Sequence, residues 1–246
     1  MPMIEEFEAT GNWLFRWRSY APLVLLLLSF AALKDYQYPL QSAFAHQIWE
    51  VFCLLIAFLG LGVRALTIGY TPKNTSGRNR SKQVADTLNT KGMYAVVRNP
   101  LYLGNFISWL GISLFWGIWW VAVIYALSFA LYYERIIFAE EMFLRQKFGQ
   151  SYLDWAAQTP AFLPRVRQWQ APEISFSFRN VLKREYHGFF AIILTMFVLE
   201  LIGEFSLGHG FHVGTFWKCL LAFGLVVYVT LRFLRKHTSL LKVTGR

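Results

Sequence analysis

Apolar residues in this chain are gathered into long runs rather than repeated with the period of a surface helix or strand. Clustering of this kind predicts membrane-crossing helices, each needing about 20 mostly apolar residues. The runs cover residues 20–33, 48–70, 101–115, 118–133, 188–205 and 215–234. The first is short for a crossing, so its ends must extend into the flanking aromatics. The second spans despite Glu50 near one end and Arg64 near the other. The third and fourth are separated only by Trp116 and Gly117, which predicts an antiparallel helical hairpin. Ahead of the first run, Trp13, Leu14, Phe15 and Trp17 alternate with Arg16 and Arg18, as expected of a helix lying at the membrane surface.

The polar stretches between the runs are of two kinds. Residues 71–91 combine Pro, Gly and Ser with Lys73, Arg78, Arg80, Lys82 and Lys91, and read as a solvated basic loop. Asn74-Thr75-Ser76 matches a glycosylation sequon, but a loop this basic is expected on the cytosolic side. From Glu134 to Trp155 the pattern is charged yet helical, with apolar residues at Ile137, Met142, Leu144 and Phe148. Pro160 and Pro164 end it, and a polar connector runs to about Tyr186. The short link between the last two runs holds His209 and His212.

Composition strengthens the membrane reading. Hydrophobic residues make up 56% of the 246 and charged ones 15%, against about 25% charged in soluble domains. Many of the Trp and Tyr residues sit at the ends of runs, where an amphipathic ring suits the headgroup region. The formal charge of +10 could suggest nucleic acid, but no recognition module is present. The bias of Lys and Arg toward cytosolic loops accounts for it instead. Six crossings with both termini in the cytosol place nearly every cation inside, leaving Lys34 and Lys218 at outer ends. Cys53 and Cys219 lie inside apolar runs, with no disulfide framework and no metal-ligand spacing, so no metal is expected. The acidic stretch Met1 to Thr10 is neither a secretory signal nor a transit peptide, and the final four residues form no prenylation box.

The expected class is therefore all-α: a polytopic helical membrane bundle of about six transmembrane helices, forming one membrane domain over 1–246. Every loop is too short for a separate soluble core. Glu200 and Glu204 lie toward the outer end of the fifth run. An intramembrane carboxylate is a functional candidate by default, although pairing with Lys218 or reaching the interface would also account for the two. Arg64 is close enough to the basic loop to snorkel; a direct role is the other reading.

The chemistry-bearing region is 88–164. It contains Gly92-Met93-Tyr94, then Arg98-Asn99-Pro100-Leu101-Tyr102-Leu103-Gly104, and after the hairpin Glu140-Glu141, Leu144, Phe148-Gly149 and Tyr152. Pro160 and Pro164 close it. This order resembles the isoprenylcysteine carboxyl methyltransferase and phospholipid methyltransferase superfamily. The family shows G-x-Y-x-x-x-R-H-P-x-Y-x-G, a hairpin, E-E-x-x-L-x-x-x-F-G-x-x-Y and a proline-rich end. Asn99 stands where the family usually has His, so any ionic role of that His is lost while hydrogen bonding can survive. The resemblance covers about a third of the chain, taken as the methyltransferase core; the last two runs, 188–234, are an addition to it.

The resemblance implies S-adenosylmethionine as cofactor and a lipid or lipid-linked acceptor, met at the cytosolic face of the bilayer. Such a cofactor needs acceptors for its ammonium and ribose diol, which Glu140 and Glu141 can supply. It needs a cation or helix N-terminus for its carboxylate, which Arg98 and the turn opened by Pro100 can supply. Tyr94, Tyr102 and Phe148 offer ring faces, Gly104 permits close approach, and Asn99, Leu103 and Tyr152 complete the expected cofactor set. Each residue also has a plainer reading. Glu140 and Glu141 could be a solvated helix face, Arg98 a positive-inside anchor, and Gly104 a helix-packing glycine. The catalytic set expected is Arg98, Glu141 and Arg135, with Arg135 as a clamp on the substrate. Arg78, Arg80, Arg135, Arg145, Arg165 and Arg167 make the region basic, which favours an anionic oxygen acceptor, either a lipid phosphate or an isoprenylcysteine-type carboxylate. The alternatives are an amine-directed phospholipid N-methyltransferase, which would need a base, and a non-catalytic transporter or structural protein.

Overall fold

The computed structural model describes residues 2–18, 20, 27, 30–38, 41–72, 75, 83–243 and 245. Most of the predicted first span and part of the basic loop, including Asn74, Arg78 and Arg80, lie outside the described residues. Among the described residues eight helices follow one another: α1 (Met3–Trp17), α2 (Ala43–Gly69), α3 (Met93–Val96), α4 (Pro100–Ser113), α5 (Trp119–Phe148), α6 (Gln150–Gln158), α7 (Phe178–Ser206) and α8 (Thr215–His237). Short 3-10 segments cover Phe30–Asp35 and Val166–Gln168. Among the described residues, four helices are long and apolar enough to cross a membrane: α2, α5, α7 and α8. Their outer faces carry large apolar side chains, such as Leu55, Leu59, Leu127, Leu131, Phe223 and Val226, left exposed by the protein itself. A soluble protein would not tolerate such faces, whereas lipid covers them. The chain is a helical membrane bundle.

Three predicted boundaries move. The 118–133 run and the charged segment after it form one continuous helix, α5, of 30 residues, about 45 Å long. The break comes only at Gly149, which takes φ 55° and turns the chain into α6. The predicted polar connector is helical from Phe178 onward, because Ser177 caps α7 by accepting from the Asn180 amide. At 14 residues, α4 reaches about 21 Å, shorter than a bilayer core. Its predicted hairpin with α5 is present, and the Tyr125 hydroxyl donates to the Phe106 carbonyl across it.

Small residues bring α2 and α4 together. A Cβ at Gly60 would overlap the Ser108 amide and hydroxyl, and one at Gly111 would overlap backbone of Cys53 and Ala57. With the helices this near, the Ser108 hydroxyl donates to the Ala57 carbonyl at 2.9 Å. α7 lies antiparallel to α2, with Arg64 against Glu185 and His46 against Glu200, and α8 packs on α7. The amphipathic α1 has a helix partner. It packs on the charged half of α5, with Gly11 against the Arg135 carbonyl and Phe15 buried beside Tyr133 and Ile136.

Candidate active site

The loop after α6 straps the segment around α3 from outside. The Gly92 amide donates to the Gln170 carbonyl at 2.9 Å, the Arg98 amide to Pro160 at 2.9 Å, and the Arg165 amide to Val96 at 3.0 Å. The Trp155 indole adds a bond to the Tyr94 carbonyl at 3.0 Å. The Asn99 side chain donates to the Ala161 carbonyl at 3.0 Å. The proline-rich end is thus tied to the start of α4, with Asn99 as one of the ties. Pro100 opens α4 at a position where a missing amide costs nothing.

Behind the strap lies a cavity of about 690 Å³, within the roughly 300–1,000 Å³ range of small-molecule sites. At one end, Arg98 and Glu141 face each other, with Nη1 to Oε1 at 3.3 Å. Tyr102 donates to Glu140 at 2.9 Å. Two buried polar atoms there, Arg98 Nε and the Tyr152 hydroxyl, have no hydrogen-bond partner among the described residues, and Glu141 Oε1 has only the 3.3 Å ion pair with Arg98. Burial, followed by the field of the Glu141 carboxylate, pushes the Tyr152 hydroxyl well above its ordinary pKa, so it stays a neutral donor. Such unpaired groups are costly in an interior, and together they mark where a polar ligand would sit. At the other end the cavity continues between α2, α4 and α7, past Leu61, Arg64, Ile112, Gly188, Ile192 and Thr195.

Residues 52–151 match the family described as Phospholipid methyltransferase. That match covers the small-residue interface, the Arg98 segment, the hairpin and the Glu140-Glu141 pair in one frame. That region is similar to the isoprenylcysteine carboxyl methyltransferase and phospholipid methyltransferase superfamily. Among similar proteins, the cobalt-zinc-cadmium resistance protein CzcN of Cupriavidus metallidurans is 35% identical over 128 residues, covering 50% of this chain and 56% of that one. The nickel-cobalt-cadmium resistance protein NccN of Alcaligenes xylosoxydans xylosoxydans is 31% identical over 121 residues, 49% of this chain and 56% of its own. The protein-S-isoprenylcysteine O-methyltransferase of Schizosaccharomyces pombe is 28% identical over 124 residues, 50% and 52% of the two chains. The chain spans about half the length of the curated relatives it matches. No solved structure matches it significantly.

Of the residues expected from the superfamily pattern, Tyr94, Arg98, Asn99, Pro100, Tyr102, Glu140, Glu141 and Tyr152 line the cavity. Leu103 is buried within α4 but is not part of that lining. Gly104 faces α2, where a Cβ would meet the Arg64 stem and the Gly60 carbonyl, so its approach is to a helix. Phe148 ends α5 outside the lining, with the Lys147 ammonium 5.8 Å from its ring. Arg135 points away as well. Its guanidinium lies 3.8 Å from the Phe7 ring centroid and donates to the Thr10 hydroxyl at 3.3 Å, holding α1.

Other cations line the cavity. Arg18, from the end of α1, lines the cavity. So does Arg64, which does not snorkel: it makes two bonds of 2.8 Å to Glu185 and one of 2.6 Å to Asn105. Arg184 and Trp155 also line it. None of these four carries a motif. Glu200 and Glu204 do not pair with Lys218, which is exposed; they meet His46 and His209 instead.

Proposed function

We propose that the protein transfers a methyl group from S-adenosylmethionine to a lipid or lipid-linked acceptor with an anionic oxygen, at the cytosolic membrane face. The observation carrying this reading is the buried Arg98–Glu141 ion pair with Arg98 Nε and the Tyr152 hydroxyl left without partners among the described residues, beside the Tyr102–Glu140 pair, in one cavity of the region that matches the family. These donors and acceptors fit the cofactor's zwitterionic end and diol. Arg98 would take its carboxylate, Glu141 and Glu140 its ammonium and hydroxyls, and Tyr94, Tyr102 and Trp155 its flat base. The bound cofactor would supply an electrophilic methyl on a sulfonium, opposite an acceptor that needs no general base if it is already anionic. The protein's own part is to hold the acceptor in line and keep water out.

The acceptor would lie in the arm between α2, α4 and α7, where apolar walls suit a lipid chain and Arg18, Arg64 and Arg184 suit its anionic head. The activity rests on the methyltransferase relative and the family, since the names of the two bacterial relatives state no reaction. The 88–164 region would form the methyltransferase core, and the 188–234 pair would add a wall to it. Cytosolic termini follow from the distribution of cations.

The test is saturable binding of S-adenosylhomocysteine to the detergent-solubilised chain, beside Arg98→Ala, Glu140→Gln and Glu141→Gln, followed by transfer of labelled methyl to membrane lipid extracts. Binding by the wild type and its loss in the variants is expected. A well-folded wild type that binds nothing, with lipid extract present, would overturn the proposal. A labelled ethanolamine headgroup would move the acceptor from oxygen to nitrogen.

A further inference from the structure

A second polar cluster lies far from the cavity. On α2, His46 precedes Arg64 by 18 residues, about 27 Å of helix, and the antiparallel α7 brings Glu200 to that end. His46 Nε2 is 3.3 Å from Glu200 Oε2 and 3.5 Å from Glu50 Oε1. His46, Glu50 and Glu200 are 4%, 4% and 5% exposed. Two carboxylates and one imidazole thus share an apolar interior, and among the described residues no Lys or Arg pairs with them. Burying an ion without full compensation costs several kcal/mol, and one imidazole cannot balance two carboxylates.

The surroundings are built like the outer shell of a ligand set. The Trp217 indole donates to Glu50 Oε1 at 2.8 Å, and the Tyr38 ring stacks on His46 at 4.6 Å. Such second contacts fix the orientation of ligating side chains. Independently of the three, the Tyr36 hydroxyl is buried and has no hydrogen-bond partner among the described residues. Its ring is 6.3 Å from that of His46. This leaves an unsatisfied polar group on a ring beside the cluster. Outward, the Tyr38 hydroxyl donates to Glu204, whose other oxygen is 3.0 Å from His209 Nδ1. The His209 side chain is 52% exposed, so polar groups lead from solvent to the buried three.

We infer that His46, Glu50 and Glu200 bind a divalent first-row transition-metal ion of the zinc or cobalt class, reached past Glu204 and His209. The ligating atoms all lie within 4.8 Å of one another. Separations of 3.3 and 3.5 Å fit the edge of a tetrahedron around zinc, about 3.3–3.6 Å for bonds of about 2.0–2.2 Å. One imidazole and two carboxylates suit zinc, cobalt or manganese rather than a thiol-seeking ion. A divalent charge would neutralise both carboxylates, and the fourth position would fall to water within reach of the Tyr36 hydroxyl.

The experiment is titration of the chelator-stripped, detergent-solubilised full chain with Co²⁺, read by its visible d–d absorption, then with Zn²⁺ by displacement. One Co²⁺ per chain, displaced by Zn²⁺, is expected. Glu200→Gln and His46→Ala should abolish it, Trp217→Phe should weaken it about 10–100-fold as loss of an outer contact does, and His212→Ala should leave it intact. Binding of S-adenosylhomocysteine should be unchanged in all four. No saturable binding by folded wild type, or binding unaltered in both ligand variants, would overturn the site and leave a proton shared between the carboxyls. If the ligand variants do not fold, the wild type decides: a thermal midpoint that rises with Zn²⁺ supports the site, and one that does not rise overturns it.

Discussion

Arg64→Met tests whether charge holds α7 against α2 and α4. Arg64 gives Glu185 two donors at 2.8 Å and Asn105 one at 2.6 Å. The Glu185 side chain is 5% exposed and that of Arg64 22%, so the carboxylate would have only the cavity to draw water from once its partner has gone. Breaking a buried pair from one side costs about 3–5 kcal/mol. Partial access of Arg64 to the cavity puts the expectation near the lower end, about 3 kcal/mol. Methionine keeps most of the stem that packs on Gly104. The double variant Arg64→Met/Glu185→Leu removes both charges and should regain at least half of the loss, because apolar replacement of a buried pair is often neutral. Asn105 would still lack its donor, a residual of about 1 kcal/mol. Reversible unfolding in mixed micelles of rising denaturing-detergent fraction, followed by Trp fluorescence, gives the three free energies. A single variant within about 0.5 kcal/mol of wild type, or a double variant no more stable than the single, would refute the reasoning.

Gly60→Ala should destabilise the α2–α4 contact by about 1–3 kcal/mol through overlap with Ser108. Gly62→Ala, on the open side of the same helix, should gain up to about 1 kcal/mol from helix propensity, and the same unfolding assay separates the two. Asn99→Ala should cost about 1 kcal/mol by freeing the Ala161 carbonyl. Asn99→His, which restores the superfamily's usual residue and can still donate, should bind S-adenosylhomocysteine within a few-fold of wild type by calorimetry. Arg18→Ala should lower methyl transfer at least tenfold, about 1.4 kcal/mol of barrier, with cofactor affinity unchanged. Arg135→Ala should lower transfer less, in step with any loosening of α1 seen by limited proteolysis, since it contacts Phe7 and Thr10 rather than the cavity.

Much of the site was legible because its parts lie close along the chain or recur in a known spacing. Arg98 to Tyr102 opens one helix, Glu140 and Glu141 sit on the next, and the tight hairpin between them forces those two elements together. What the pattern could not supply was direction. Arg135 is five residues from Glu140, about 1.4 helical turns, enough to place it on the face that carries α1. Gly104 reads equally as a ligand-approach or a packing glycine until Gly60 is seen beside it. Arg18, at the end of an amphipathic helix, gave no signal beyond surface charge.

The sequence by itself determined the membrane class, the hairpin and the superfamily region, because run length, the Trp116-Gly117 junction and motif spacing are local properties. Only the tertiary structure decided the pairings that cross the bundle. Arg64 meets Glu185 across 121 positions and His46 meets Glu200 across 154. Both follow from α7 lying antiparallel to α2. A buried charge chooses its partner by which helix faces it, and that depends on how the glycine and apolar surfaces of all the helices pack at once.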